Sequence, residues 1–194
     1  LPHIRACLDN EATKKLAFAF GAPVILDSDL REGSLRQAVE EKGIPLLLYE
    51  AGEALRFDEI SIRAGVKGIL AVMRSIGMLT SRGAQTSRIQ PMVARTTSWI
   101  RAPGSGILRS QIPLGGKIAI DQKIGEIADP FDEDETAVTS PVAGIVIGRM
   151  NLPLVHRGDA LFNVAGFDDS AAVSETLDDF KEEIKASMPL PTVS

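Results

Sequence analysis

Pro45-Leu-Leu-Leu-Tyr49 is an apolar run that ends abruptly in Glu50-Ala-Gly-Glu53. A short run of this kind, bounded by polar residues and glycine, predicts a buried strand with a carboxylate at its mouth. Working back along the chain, Ser34 followed by Gln37 is a capping-box pattern that predicts a helix over Leu35–Lys42, stopped at Gly43. Val24–Leu26, after Pro23, predicts another buried strand. Strand, helix and strand in so short a span predict a right-handed βαβ unit of a parallel sheet. Functional residues of such sheets gather at the carboxyl ends of strands. Those ends are Asp27–Arg36 and Glu50–Arg56.

On either side lie two more helices. Asp9 is the expected N-cap of a helix over Asn10–Phe20 that stops at Gly21. Asp58 is expected to cap a helix whose Ile62, Val66, Ile69, Leu70, Met73 and Ile76 recur at spacings that predict one buried face. Gly65 and Gly68 within it predict close packing.

Beyond Leu79 the texture changes. Residues 80–94 lack apolar periodicity and read as a connector. From Arg95 the chain shows short β-runs broken by Gly and Pro: 98–102, 106–111, 117–120, 123–127, 137–140, 144–149 and 161–164. Ala102-Pro-Gly-Ser-Gly-Ile-Leu108 recurs 38 residues later as Ser140-Pro-Val-Ala-Gly-Ile-Val146. Two related halves predict a pseudo-symmetric sandwich of hairpins, similar to the biotinyl/lipoyl barrel-sandwich. A carrier role is not expected, because the turn Asp129–Glu135 offers no Lys. In the acidic tail, Val173, Leu177, Phe180 and Ile184 predict an amphipathic helix to about Ser187, with a frayed end over Pro189–Ser194. The expected organisation is an α/β region 1–79, a connector 80–94, a β-sandwich 95–167 and a tail 168–194.

Composition narrows the function. The 194 residues carry 21 Lys and Arg against 26 Asp and Glu, a net charge of −5. This balance argues against phosphate-backbone binding, so no nucleic-acid partner is expected. No apolar run approaches the length of a membrane span, so no membrane partner is expected either. A single cysteine, Cys7, excludes an internal disulfide and suits a cytoplasmic setting. His3 and His156 are the only histidines, and neither has a partner at metal-ligand spacing, so each reads as structural or exposed.

Partial desolvation at the end of an apolar strand is expected to raise the pKa of Glu50 and suit it to proton transfer near neutral pH. Arg31 and Arg36, beside the helix start at Ser34, are the expected binders of a substrate carboxylate, since guanidinium grips that group bidentately. The structural alternatives are a solvated loop beginning at Glu50 and, for the other segment, a capped helix start with surface arginines.

Together these segments resemble the succinylglutamate desuccinylase/aspartoacylase family, relatives of the zinc carboxypeptidases, from Leu1 to about Gly166. Leu1-Pro-His-Ile-Arg-Ala6 is similar to a segment that follows the family's last zinc-binding histidine. Leu48-Tyr-Glu-Ala-Gly52 is similar to its strand-end glutamate, Gly65-Val-Lys-Gly-Ile-Leu70 with Gly77-Met-Leu79 to the next helix, and the two Pro-x-x-Gly repeats to its second domain. The resemblance implies a partial carboxypeptidase-like sheet plus the β-domain. It implies hydrolysis of an N-acyl amino acid, with Glu50 as general base and Arg36, with Arg31 or Arg5, on the substrate carboxylate. It also implies zinc in the intact enzyme. The family's His-x-x-Glu and later histidine have no counterpart here, so this chain is expected to carry no zinc of its own and to be the C-terminal portion of a longer, possible homo-oligomeric, enzyme. The competing expectation is a non-catalytic binding or assembly module built on the β-sandwich.

Overall fold

The computed structural model describes residues 1–80, 89–129, 131, 135–167 and 170–186. They form two compact units. One comprises Pro2–Val93 and the chain from Glu175; the other comprises Leu1 and Ala94–Ser174.

The first unit is built on a mixed four-stranded sheet of β1 (His3–Ala6), β2 (Val24–Asp27), β3 (Leu48–Glu50) and β4 (Met92–Ala94), in the order β3-β1-β2-β4. Helix α1 (Glu11–Phe20) links β1 to the parallel β2. Its N-cap is Asn10 rather than Asp9, accepting from the N–H groups of Ala12 and Thr13, and Gly21 ends it at φ 76°. Helix α2 (Leu35–Glu40) is capped by Ser34 as expected but is shorter than the sequence suggested.

Strand β3 departs from the expected parallel unit. It pairs antiparallel with β1, on the side away from β2. The irregular residues between α2 and β3 return the chain beyond β1, so no second βαβ crossover forms. The strand is also shorter than the apolar run; Ile44 and Leu48 are exposed. Met92–Ala94, expected within the connector, forms β4; positions 81–88 lie outside the described residues.

Helix α3 (Glu59–Ser75), capped by Asp58, corrects a second expectation. Its buried residues are Ser61, Ala64, Gly65 and Gly68, while Val66, Ile69, Leu70 and Ile76 are exposed. The rings of Phe20 and Tyr49, 5.2 Å apart between centroids, occupy the space beneath the helix. A Cβ on Gly68 would stand 2.3 Å from the Phe20 ring, and one on Gly65 3.0 Å from the Tyr49 ring. Only residues with little volume fit there, so the small face turns inward and the apolar stripe turns out. Helix α4 (Ser170–Ala186) is amphipathic as expected. Leu177, Phe180 and Ile184 are buried, the last two beside Ala64, and Lys67 pairs with Glu183. Each such side chain contributes about 1.5–3 kcal/mol by leaving water. The Val173 side chain and the tail beyond Ala186 lie outside the described residues.

The second unit holds eight strands in two four-stranded sheets. Sheet order β5-β12-β10-β7 uses β5 (Thr96–Arg101), β7 (Lys117–Ile118), β10 (Gly144–Arg149) and β12 (Ala160–Gly166). Order β11-β6-β8-β9 uses β6 (Gly106–Ser110), β8 (Lys123–Ala128), β9 (Glu135–Thr139) and β11 (Leu154–Val155). One core, with Ile127, Val146, Leu161 and Phe162, draws on both sheets. The sequence repeat is visible in the pairing: the short strands cross over between the copies, β7 to β10 and β11 to β6. Gly106 and Gly144 open β6 and β10, where a Cβ would fall 2.4 and 2.3 Å from the carbonyl oxygens of Ala128 and Ala165. No closed barrel forms among the described residues.

Candidate active site

Alternation along β1 sends Ile4 and Ala6 to the helix-covered core and His3 and Arg5 to the opposite face. In β3 the same alternation sends Tyr49 to the core and Glu50 to the face of His3. Antiparallel register sets Glu50 directly opposite His3. The result is a compact charged cluster: His3 Nε2 lies 2.8 Å from Glu50 Oε2, and Arg5 donates to the same oxygen at 3.4 Å. The His3 side chain is 8% exposed and that of Glu50 40%.

This arrangement reverses the electrostatic expectation. Glu50 is not raised; its pKa is pulled down to about 2, chiefly by the hydrogen bond to His3 and further by the Arg5 charge, against the opposing effect of burial. The ionised carboxylate can only accept hydrogen bonds, so the shared hydrogen sits on His3 Nε2. The local sequence around Glu50 held no sign of this. His3 read as a lone histidine because its partner is 47 positions away.

Arg5 therefore joins Glu50, but Arg31 and Arg36 do not. Because β3 runs antiparallel, Glu50 lies level with His3 at the amino end of β1, whereas the Asp27–Arg36 segment follows the carboxyl end of β2. Arg36 donates to the Oγ and the carbonyl oxygen of Ser28, both at 3.0 Å, which closes its own loop. Arg31 is exposed, and its carbonyl accepts the Ser34 N–H. The two strand-end segments that the sequence placed on one rim thus sit at opposite ends of the sheet.

On the helix side of β3 an open groove of about 370 Å³ runs along Tyr49, Gly52, Phe57, Ser61, Gly65 and Ile69. Tyr49 donates its hydroxyl to the Ser61 carbonyl at 2.8 Å, and burial, reinforced by the Asp58 charge, pushes its phenol up to about 12. Its Tyr49 wall faces away from the Glu50 carboxylate. Among the described residues no three His, Cys, Asp or Glu side chains come together as a metal site. Those residues do not fit a complete zinc centre. Nor is any described helix long and apolar enough to cross a membrane.

No protein-family model matches the chain, and no curated protein matches it. Solved structures do. The described architecture is the mixed α/β fold of succinylglutamate desuccinylase/aspartoacylase proteins, as the resemblance in sequence implied. The succinylglutamate desuccinylase/aspartoacylase of Rhodobacter sphaeroides is 26% identical, with a TM-score of 0.71 over 87% of this chain and 53% of that one. The apo ectoine utilization protein EutE (DoeB) of Ruegeria pomeroyi is 21% identical, with a TM-score of 0.76 over 85% and 55%. A succinylglutamate desuccinylase of Silicibacter sp. TM1040 is 21% identical, with a TM-score of 0.71 over 86% and 54%. The chain spans about half the length of these structures.

Proposed function

We propose that this chain is part of a zinc-dependent amidohydrolase that cleaves N-acyl amino acids, and that Glu50 is its general base. The observation that carries the reading is a partly exposed carboxylate at the end of an edge strand, aimed by His3 and Arg5. A fixed, ionised carboxylate is ready to take a proton; its depressed basicity is the cost of that fixed aim. Glu50 accepts a proton from water as the water oxygen bonds to the acyl carbon. The proton then passes to the amine nitrogen as the C–N bond breaks, giving a carboxylic acid and an amine. Arg5, beside Glu50, is better placed than Arg36 or Arg31 to meet the carboxylate of the substrate. The zinc belongs to the longer enzyme of the cytoplasm that this reading implies, since the described residues here supply no complete set of ligands.

In that zinc-loaded enzyme, Glu50→Gln is expected to lower turnover by at least ~100-fold, in line with loss of a general base, while zinc content is unchanged. Near-normal turnover rejects the assignment.

A non-catalytic assembly module is the second reading. What favours it is the outward stripe of Val66, Ile69 and Ile76 on α3. A monomer by analytical ultracentrifugation counts against self-assembly through that stripe.

A further inference from the structure

His3 is buried, and its Nε2 is spent on a side chain across the sheet. Both side chains that reach Glu50 contact Oε2. Oε1 accepts no hydrogen bond among the described residues. The two oxygens of one carboxylate are thereby divided into an anchored atom and an available one. Resting on the reading of Glu50 as proton acceptor, we propose that His3 is its positioning residue: the Nε2–H fixes Oε2, so that Oε1 is presented to the water.

The geometry supports this in three ways. The pairing is set by backbone register, because His3 and Glu50 are direct cross-strand neighbours. At 2.8 Å the contact is short and charge-assisted, whereas the Arg5 contact at 3.4 Å is longer. Finally, a side chain that is 8% exposed has few other rotamers to visit, so it orients its partner at little entropic cost.

The test begins on the 194-residue chain. Nitrogen-15 spectroscopy of the His3 ring is expected to find the proton on Nε2; a ring protonated only at Nδ1 overturns the proposal without any variant. Carbon-detected titration of the Glu50 carboxyl follows. His3→Leu is expected to raise the midpoint by one pH unit or more, and His3→Gln, whose amide nitrogen can donate from a similar position, is expected to restore most of the depression. An unchanged midpoint in folded His3→Leu overturns the proposal. In the zinc-loaded longer enzyme, His3→Leu should lower kcat roughly tenfold or more with little change in KM, as loss of an orienting partner does, and His3→Gln should recover much of it. An effect on KM alone overturns the positioning role. Normal turnover in Glu50→Gln sinks the catalytic reading separately, because the titration reports the His3 contact whatever Glu50 does.

Discussion

In the β unit, apolar residues from both sheets face one another and meet in a single buried cluster; in the α/β unit, helix α3 buries alanine and glycine and turns Val66, Ile69, Leu70 and Ile76 to the outside. Both segments carry strong apolar periodicity. What differs is the surface opposite. The two β-sheets bury one set of their apolar side chains against each other. Helix α3 meets two aromatic rings that have already filled the space, so its bulk is excluded. Periodicity tells which residues share a face; the shape of the neighbour decides which face goes in.

Three substitutions break or sharpen this contrast. The largest effect is expected from Phe162→Ala, which empties the centre of the β core and should cost about 3–5 kcal/mol by denaturant unfolding. A loss below about 1 kcal/mol would show that the core is not packed as described. Next comes Gly68→Ala. The added methyl meets the Phe20 ring, and the overpacking should cost about 1–3 kcal/mol, despite alanine being the better helix former. A stabilised variant would mean that the ring moves aside freely. The smallest is Ile69→Ser on the outer stripe, expected to change stability by no more than about 0.5 kcal/mol. A cost comparable to that of Phe162→Ala would place Ile69 in a core and erase the contrast.

Local signals were legible in sequence. The caps at Ser34 and Asp58 and the stop at Gly21 depend on residues near one another in the chain. The small residues at Gly65 and Gly68 were legible too, but the rings they admit, Tyr49 and Phe20, lie far away in sequence. Features set by long-range register were not. Nothing near Leu48 says that β3 will pass β1 and pair antiparallel, and that turn alone separates Glu50 from Arg36. The electrostatics of Glu50 were misread for the same reason. An apolar run before it suggests desolvation, but its environment is dominated by His3 and Arg5, which reach it across the sheet. The local motif singled out Glu50 as a candidate; it gave no sign of the partners that reach it across the sheet.

The exchange of short strands between the two repeats has an architectural consequence. Strand β7 has its partner in the second copy, and β11 in the first. Neither copy could therefore close by itself: excising one would leave the other with bare sheet margins and half a core, a template for sticking to its neighbours. The duplication is indivisible, and its arithmetic is all or none.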